Sequence, residues 1–393
     1  MTLSFKRILH LNWIPDPRPW PGLQRKLVEE SVAARLAHLP LTFSSISGFT
    51  SIQGEDYQCL PLPPPRYLPA RLERACLRLD CMRRSIDAGR YDAIVLRYPG
   101  ASDLTPLDRL FRDWPPIFTE HHTSMVDELR LLVRGPGSWL KLQAERFNGP
   151  RLLSRVKGLV AVTEEIRAIE AKRGGVQHSI TIGNGVATSA LLTPPARWDG
   201  GELRLWFAAG AFSPWMGLDR LLWGLMAMTH SQPVTLHLAG GGISPSDRRL
   251  IAVLAARQPL VRVIEHGQVA HADIGALMRR CHVAIASLAL HRAGLSEASP
   301  LKTREYLAAG MPTVLAYQDT DIPAGLPGTL HLPNHDEPIE LDALCSFASE
   351  VSRRHDDITR GLHAFAVAHL DWKPKLNRLC AFVSARLKAD PER

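Results

Sequence analysis

The sequence predicts an α/β protein, because short apolar runs alternate with helical stretches along the whole chain. The runs that read as strands include DAIVLRY at 92–98 and PIFTEHH at 116–122 in the first half, and VTLHLAGGG at 234–242 and VRVIEHG at 261–267 in the second. Stretches between them, such as LQRKLVEESVAARLAHL and DRLLWGLMAMTH, carry apolar residues at i, i+3 and i+4. This alternation indicates parallel sheets with helices on both faces.

The number of domains follows from the length and from one linker. At 393 residues the chain is too long for one ordinary core. The Pro/Gly-rich segment ATSALLTPPARWDGGEL separates the two series of predicted strands. We therefore predict two Rossmann-like domains, residues 1–188 and 189–370, that face each other across a cleft. A C-terminal helix in residues 371–393 is predicted to pack back on the first domain.

The composition is typical of a soluble globular protein, with 45% hydrophobic and 22% charged residues. No apolar run reaches the ~18–20 residues that span a bilayer, and the first residues read as a buried strand and not as a signal peptide. The six cysteines form no CxxC pair and show no metal-like spacing with histidine, which fits reduced thiols. We therefore expect a cytoplasmic protein.

The basic charge is concentrated in the first half of the chain. Residues 1–190 hold 26 Lys and Arg against 19 Asp and Glu, whereas residues 191–393 hold 21 against 20. Arg71, Arg74 and Arg78 recur at helical spacing opposite apolar residues. Such a helix either rests on an anionic membrane surface, as in a peripheral protein on the inner membrane face, or is a solvated face. No recognition motif for nucleic acid accompanies the charge, so we expect no nucleic-acid partner.

Glycines close the predicted strands of the second half. Gly210 lies in FAAGAFSPWMG, Gly241 and Gly242 lie in HLAGGGIS, and His266 and Gly267 lie in IEHGQVAH. Parallel sheets bind ligands at the carboxyl ends of their strands, and glycine lets a backbone approach a ligand closely. Helix N-termini after such strands offer N–H groups to phosphate. An ordinary turn explains each glycine run alone, but the series predicts a phosphate-bearing ligand in the second domain.

Two glutamates eight positions apart, Glu297 and Glu305, lie in LSEASPLKTREYLAAGMPT. LSEASP reads as a loop after a strand, Pro300 suits the first turn of the next helix, and Glu305 lies on that helix. Carboxylates accept hydrogen bonds from paired hydroxyls, so a sugar or a ribose is a natural ligand. The alternative makes Glu297 an acid near a helix N-terminus and Glu305 a partner of Arg304 or Lys302.

This stretch resembles the E-x7-E motif of retaining GT-B glycosyltransferases, in particular of glycosyltransferase family 4. SPLKTREYLAAGMPT looks like the variant of bacterial members that build polysaccharides and glycolipids, and VTEEI, IGNGV, AGAFSPWMGLDRLL, LHLAGGG, EHGQV and HLDW follow in the family's order. The resemblance implies a GT-B fold and a metal-independent, retaining transfer of a sugar from a nucleotide-sugar donor. The acceptor would be a glycan, a lipid-linked compound or a small molecule, and no cofactor is implied.

The resemblance also implies roles for the matching positions of the second domain. Glu305 would hold the ribose hydroxyls of the donor, and Glu297 would contact hydroxyls of the donor sugar. Four further residues would line the sugar and the diphosphate with their backbone: Ala298, Ser299, Pro300 and Leu301.

The resemblance extends to three positions of the first domain. His121, in FTEHHTS, matches the histidine that reaches the transferred sugar, and His122 stands where many members have aspartate. Gly22, in DPRPWPGLQRK, occupies the first loop, where members often have a glycine-rich acceptor site. For the two histidines the alternative is a solvent-facing strand end.

The chain departs from the family in the loop that opens the second domain. Members carry Gly-Arg and then Lys-Gly there, whereas this chain has Gly210-Ala211 and Met216-Gly217. We expect Lys302 to supply a cation for the diphosphate, and a solvent-facing lysine is the alternative. The missing charges also leave open a non-catalytic partner subunit, and a sugar-nucleotide epimerase of the same fold is the other rival.

Asp319-Thr320-Asp321 has the form of the DxD metal site of GT-A glycosyltransferases. It follows a predicted strand of the second domain and precedes a loop, DIPAG, so we assign no metal site to it.

Overall fold

The chain forms two compact units in a computed structural model that describes residues 7–14, 21–47, 57–61, 70–87, 89–101, 114–131, 133, 135–188, 194–229 and 232–388. Unit 1 is Met1–Gly183 with Trp372–Arg393, and unit 2 is Asn184–Asp371. The sequence boundary at residue 188 differs from this division because residues 184–188 bond within unit 2. The Val186 N–H donates to the Leu370 carbonyl, and the Thr188 hydroxyl donates to Asp371.

Unit 1 contains a seven-stranded parallel sheet with the order β3-β2-β1-β4-β5-β6-β7. Its strands are β1 (Ile8–Ile14), β2 (Leu41–Ser47), β3 (Tyr57–Pro61), β4 (Ala93–Arg97), β5 (Ile117–His121), β6 (Gly158–Ala161) and β7 (Ser179–Thr181). Its helices are α1 (Pro21–Leu36), α2 (Ala70–Asp87), α3 (Met125–Leu131), α4 (Pro136–Leu153), α5 (Glu164–Gly174) and α12 (Trp372–Lys388).

The apolar strands of unit 1 are buried on both faces, as in parallel sheets covered by helices. Ile94, Val95 and Leu96 of β4 are all buried. Helix α12 packs on this unit: the ring of Phe382 meets that of Phe118 edge-on at 5.8 Å. The helix α2 forms where the basic periodicity predicts it, but the side chains of its predicted basic face (Arg71, Arg74 and Arg78) lie outside the described residues.

Unit 2 contains a six-stranded parallel sheet with the order β10-β9-β8-β11-β13-β15, and a two-stranded pair β12-β14 beside it. The strands are β8 (Leu203–Ala211), β9 (Val234–Gly241), β10 (Val261–Gly267), β11 (Val283–Ile285), β12 (Glu297–Ala298), β13 (Thr313–Leu315), β14 (Gln318–Asp319) and β15 (Thr329–His331). The helices are α6 (Leu218–Met226), α7 (Pro245–Arg257), α8 (His271–Met278), α9 (Leu301–Ala308), α10 (Leu341–Arg353) and α11 (His355–Phe365). Two 3-10 turns (Pro214–Met216, Leu290–Ala293) and a π-helical segment (Ala366–Leu370) complete it.

Both large sheets have the strand order of a doubly wound fold, in which the chain starts in the middle and builds outward to each edge. The predicted α/β class with two Rossmann-like domains is therefore confirmed. None of the helices in the described part of the chain combines the length and the apolar character that crossing a bilayer requires.

Gly310 shows how closely helix α9 packs in unit 2. It follows the end of the helix with φ of +70°, and a Cβ built on it would lie 2.5 Å from the Thr359 side chain of α11. Only glycine meets both the left-handed backbone and the close approach. The AAG turn thus fixes where the glutamate-bearing helix stops.

Candidate functional site

The two glutamates of the E-x7-E stretch lie on two neighbouring elements of unit 2. Glu297 begins β12, which pairs with β14 so that Glu297 is opposite Gln318. Glu305 lies in the second turn of α9, which begins directly after Pro300. The expectation of an unpaired loop before the helix is wrong at Glu297 and Ala298, because β14 supplies a partner strand. This pairing fixes the backbone of the predicted sugar-binding residue.

The buried side chain of Arg304 bonds to the segment that carries the two glutamates and to residues around it. Its side chain is fully buried, and Nη2 donates to Asp319 at 2.6 Å and to Asp321 at 2.9 Å, while Nη1 donates to the second oxygen of Asp319. Nη1 also donates to the Pro300 carbonyl, and Nε donates to the Asn184 carbonyl. A planar guanidinium fits such a bidentate carboxylate contact. The acids of the DxD sequence are therefore ion-paired with an arginine of helix α9.

Besides accepting from Arg304, Asn184 makes two hydrogen bonds to Ser299 of the segment that carries the glutamates. Its backbone N–H donates to the Ser299 hydroxyl at 2.8 Å, and its side-chain amide donates to the Ser299 carbonyl at 2.6 Å. Ser299 is 5% exposed. Its carbonyl, which the resemblance implies for donor lining, thus already accepts a bond within unit 2.

Lys302 lies in the first turn of α9 and points at the carboxyl end of β8. Its Nζ donates to the Ala208 carbonyl at 3.3 Å, lies 3.3 Å from the Met216 sulfur, and sits 4.9 Å from the centre of the Phe207 ring. Among the residues that the structure describes, no carboxylate forms an ion pair with this ammonium. Burial therefore lowers the pKa of Lys302 to about 7.

The position of Lys302 bears on the missing cations of the family pattern. Met216 stands where family members carry lysine, and the Lys302 ammonium touches its sulfur. The alternative of a solvent-facing lysine is wrong, since the ammonium is partly buried against Phe207. Lys302 is also the only lysine between residues 184 and 371. It therefore brings a cation to the place where the expected one is absent.

The predicted glycines lie at the same carboxyl edge of the unit 2 sheet. Gly210 is exposed near the end of β8, and its carbonyl accepts a bond from the Gln268 amide at 3.1 Å. A Cβ on Gly241, the last residue of β9, would lie 2.7 Å from that amide, and Gly242 has φ of +71°. The sequence missed Gly240, where a Cβ would lie 1.7 Å from the Ala209 carbonyl.

His266 and Gly267 end β10, the edge strand of this sheet. Gly267 is exposed, with φ of +64° and open space where a Cβ would stand. The ring of His266 stacks on that of His237 at 5.2 Å, and its Nε2 lies 3.0 Å from His237 Nδ1. Burial lowers the pKa of both histidines. The structure thus gives His266 a packing partner, and donor binding by His266 stays a prediction.

In unit 1, His121 ends β5 and is 1% exposed. Its ring stacks on Tyr98 at 4.5 Å, and Nδ1 lies 3.7 Å from Glu170, too far for a hydrogen bond. Within the described residues, neither ring nitrogen has a hydrogen-bond partner. Burial, followed by the charge of Arg173, lowers the pKa of His121 to about 3. The alternative of a solvent-facing strand end is therefore wrong for His121.

A buried charge cluster that the sequence did not reveal lies behind this ring. Arg173 donates to Glu145 at 2.8 Å and to Glu170 at 2.6 Å, and both carboxylates are 0% exposed. The Tyr98 hydroxyl donates to Glu145 at 2.7 Å. Burial raises the pKa of Glu170 despite Arg173. The cluster fixes the wall on which His121 is stacked; no spacing in the sequence links these residues.

His122 belongs to a second polar cluster, around Glu120. His122 Nε2 lies 3.2 Å from a Glu120 oxygen and 3.2 Å from Lys26 Nζ, and His10 lies 3.2 Å from the same oxygen. Lys26 also pairs with Glu30 at 3.5 Å. Burial lowers the pKa of His122 to about 3. Burial alone would raise the pKa of Glu120, but Lys26 and the two histidines outweigh it and hold that pKa well below its usual value.

Gly22 is not in a loop, as the sequence predicts, but is the second residue of helix α1. Pro21 precedes it at the first helical position, where its fixed φ and missing N–H are tolerated and help to start the helix. A Cβ on Gly22 would meet no atom within 4 Å, so space on this side of the first turn is open.

The structure gathers the predicted residues into one set within each unit. In unit 2, the Glu297–Glu305 segment, Lys302 and the glycine ends of β8 and β9 lie at the carboxyl edge of the sheet, where doubly wound folds bind ligands. In unit 1, His121 and His122 lie at the carboxyl end of β5. In the described ranges, no group of three or more His, Cys, Asp or Glu side chains is arranged to hold a metal ion.

Comparison with known proteins gives similarity in structure. No protein-family model and no curated protein matches the sequence. Sucrose-phosphate synthase from Thermosynechococcus elongatus superposes with a TM-score of 0.65 at 15% identity, over 98% of this chain and 100% of the other. A glycosyltransferase from Rickettsia africae superposes with a TM-score of 0.66 at 15% sequence identity, over 97% of this chain and 99% of the other. HepE from Anabaena, solved with UDP and glucose, superposes with a TM-score of 0.66 at 17% sequence identity, over 97% of this chain and 100% of the other. The chain therefore has the two-domain GT-B fold of glycosyltransferases.

Proposed function

We propose that this chain is a retaining, metal-independent glycosyltransferase, of the hexosyltransferase kind and similar to family 4. It transfers a sugar from a nucleotide-sugar donor to a glycan, lipid-linked or small-molecule acceptor. The observation that carries this proposal is the Glu297–Glu305 segment. The backbone of this segment is fixed by the β12–β14 pairing and by the buried Arg304, and it lies next to a lysine with no acidic partner among the described residues. A ligand that carries paired hydroxyls and a diphosphate fits such a set of side chains.

In this proposal each donor group has a partner in unit 2. Glu305 accepts from the ribose hydroxyls, Glu297 accepts from the sugar hydroxyls, and the ammonium of Lys302 faces the diphosphate. The glycine ends of β8 and β9 place no side chain beyond a hydrogen atom between the backbone and the ligand, with Gly210 exposed and Gly241 partly exposed. HepE is described in complexes with UDP and with UDP-glucose, so uridine donors are the first to test.

The protein's contribution to the reaction is position and charge. In front-face attack the acceptor hydroxyl approaches from the side of the leaving diphosphate, whose oxygen takes the proton while the sugar–oxygen bond breaks. The negative charge that grows on the diphosphate is stabilised by Lys302 and by the first-turn N–H groups of α9. A lysine with pKa near 7 takes up a proton as this dianion binds, because the nearby negative charge favours the ammonium.

The ion pairs of the two DxD aspartates with Arg304 support a reaction that needs no metal. Both oxygens of Asp319 and one of Asp321 accept bonds from Arg304, and Asp319 is 0% exposed. A cation would have to displace a bidentate guanidinium to bind there. Charge stabilisation at the diphosphate is therefore assigned to Lys302.

We place the acceptor at unit 1, with His121 reaching the transferred sugar and His122 and Gly22 on the acceptor side. We also propose that the enzyme works in polysaccharide or glycolipid synthesis, in the cytoplasm and peripherally at the inner membrane face. The excess of basic residues in the first half of the chain supports that location.

A non-catalytic GT-B partner subunit is the second candidate. Ala211 and Met216, in place of the family's arginine and lysine, favour it. The Lys302 ammonium beside Met216 favours catalysis instead.

A donor panel tests the proposal. The protein is incubated with UDP-, GDP-, ADP- and dTDP-sugars in EDTA, and donor hydrolysis and thermal shift are followed. We expect one nucleotide to raise the melting temperature and its sugar to be released or transferred with the anomeric configuration retained. Stabilisation without turnover for every sugar and acceptor would favour the partner subunit, conversion of the sugar without loss of the nucleotide would favour an epimerase, and strict metal dependence would contradict the mechanism.

A further inference from the structure

Helix α4 of unit 1 exposes three large apolar side chains to solvent. Leu140 is 60% exposed and Phe147 is 62% exposed, and these residues are seven apart, which puts them on one side of the helix. Trp139, beside them, is 51% exposed. The opposite side packs into unit 1 through Leu142 and Leu152. The exposed residues therefore make no contribution to the core of this unit.

These exposed side chains are clustered and not scattered. Leu131, at the end of the neighbouring helix α3, is 46% exposed. The other large apolar side chains that are exposed in the described residues lie on separate elements, such as Leu36 on α1 and Trp223 and Val253 on different helices of unit 2. Single exposed apolar residues are normal, whereas a contiguous set on one helix indicates an interaction surface. We call Leu131, Trp139, Leu140 and Phe147 the α4 ridge.

The exposed charges of helix α4 have one sign, and on α3 the acid Asp127 pairs with Arg130. Residues 130–157 contain seven Lys and Arg and a single acid, Glu145, which is buried and paired with Arg173. Lys141, Arg146 and Arg151 are exposed on α4. Arg151 lies over the Phe147 ring at 3.8 Å, which keeps its guanidinium at the ridge. This segment, with seven basic residues against one acid, therefore has a net charge of +6, compared with +8 for the whole chain.

We propose that the α4 ridge docks unit 1 on an anionic lipid bilayer, with Trp139, Leu140 and Phe147 entering the interface and the basic side chains contacting lipid phosphates. An aromatic and aliphatic ridge bordered by exposed Lys and Arg, with no exposed acid on α4, fits the boundary between headgroups and acyl chains. Protein partners bind mixed charges, and the one acid of α4, Glu145, is buried and offers them no complement. The inference rests on the proposed function, because it names the surface for the peripheral location and the lipid-linked acceptor proposed there.

The surface differs from the candidate in the sequence. There the arginines of α2 form either a membrane surface or a solvated face, whereas the described apolar and basic side chains that occur together are on α4. The exposed residues of the α4 ridge can be replaced without opening a cavity in unit 1. Substitutions there therefore separate docking from folding.

Vesicle flotation of the full-length protein tests the proposal, without donor or acceptor, so that it can fail while sugar transfer stands. The vesicles are phosphatidylcholine with or without phosphatidylglycerol, at low and high salt. We expect binding only with phosphatidylglycerol and weaker binding at high salt. Leu140→Ser with Phe147→Ser should reduce binding by about tenfold or more, and Lys141→Gln with Arg146→Gln and Arg151→Gln should do the same.

Matched controls lie in unit 2. Trp223→Ser removes a tryptophan that is 52% exposed on α6, and Arg249→Gln with Arg257→Gln and Arg262→Gln removes three exposed charges. These controls should bind like the unaltered protein, and all variants should keep its melting temperature. Lipids brominated in the acyl chain should quench Trp139, and Trp139→Phe should remove that quenching.

Three outcomes would overturn the proposal. The first is equal binding by the ridge variants and the controls. The second is equal binding to vesicles without anionic lipid. The third is no vesicle binding together with a dimer that the Leu140 and Phe147 substitutions dissociate, which would make the ridge a contact between two copies of the chain.

Discussion

The two units place charged side chains at the carboxyl ends of their strands in opposite ways. In unit 1, Glu120 at the end of β5 is surrounded by Lys26, His10 and His122, and each basic group has a carboxylate within contact distance. In unit 2, Lys302 contacts a carbonyl, a sulfur and an aromatic ring. One cluster is neutralised internally, whereas the other keeps a partly buried amine with no carboxylate contact among the described residues.

In the proposed function, this difference assigns the anionic ligand to unit 2. A buried ammonium without a counterion costs stability, so it persists where a ligand offsets that cost. A neutralised cluster instead positions its members and needs no ligand to be stable. Arg304 is the internal reference for Lys302, because it is on the same helix, is also buried and is paired with two aspartates.

The largest effect is expected when the paired cation of unit 2 is removed. Arg304→Met leaves Asp319 buried without a counterion, so it should destabilise unit 2 by about 3–5 kcal/mol. Hydrogen exchange of unit 2 peptides in the full-length protein measures this loss. Arg248→Met is the matched control: its exposed pair with Glu265 should contribute less than ~1 kcal/mol. Equal effects of the two substitutions would contradict the assigned role of Arg304.

Removing the unpaired cation should have the opposite sign. The folded pKa of Lys302, about 7, lies below its unfolded value of 10.5, so the unfolded chain binds more protons between these values and stability rises with pH across that window. Lys302→Met should flatten this rise and stabilise unit 2 at pH 7 by on the order of 2–4 kcal/mol. It should also abolish proton uptake on binding of nucleoside diphosphate.

For Lys302→Met, hydrogen exchange of the unit 2 peptides is measured from pH 7 to pH 10, with Lys388→Met as the control. Lys388 is exposed at the end of α12. A loss of stability in Lys302→Met at pH 7 would show that the ammonium has a partner in the folded protein and would remove the contrast between the units.

A smaller effect is expected in unit 1 on acidification. The pKa of His121 falls from 6.5 to about 3 on folding, so the unfolded chain binds the extra proton and stability is lost as pH falls below 6.5. The loss at pH 5 is about 2 kcal/mol for one such histidine. His122 has a similar pKa and adds to it.

His121→Phe keeps a ring against Tyr98 and should remove roughly half of this acid sensitivity, by the same linkage argument. Hydrogen exchange of β5 peptides at pH 7 and pH 5 is the measurement, with the exposed His178→Gln as control. Unchanged acid sensitivity in His121→Phe would mean that this ring is accessible to protons in the folded state.

The strands and helices could be predicted because their periodicity is local. LRLWFAAG and VTLHLAGGG became β8 and β9, and the glycines fell at strand ends. The strands β3 and β14 were missed, since YQCLP follows a polar segment and Gln318–Asp319 is a two-residue pairing that only β12 creates. The strand expected before LSEASP is short, Val283–Ile285, and a 3-10 turn (Leu290–Ala293) lies between it and Glu297.

The chemistry of the site was predictable where it lies within one motif and not where it depends on distant residues. Glu297, Lys302 and Glu305 could be selected from one segment. The role of Arg304 could not, because its partners Asp319 and Asp321 meet it through the β12–β14 pairing. The Tyr98, Glu145 and Arg173 cluster likewise joins β4, α4 and α5, which no sequence spacing connects.

The most direct test of the account is the affinity of the full-length protein for nucleoside diphosphates, by calorimetry, in the unaltered chain and in Glu305→Ala. Loss of a charged acceptor for the ribose hydroxyls should weaken binding by about 1.5–3 kcal/mol. Glu350→Ala, which removes an exposed glutamate from α10, should bind like the unaltered protein. Equal affinity of Glu305→Ala and Glu350→Ala, or no binding of any nucleoside diphosphate, would contradict the donor site proposed for unit 2.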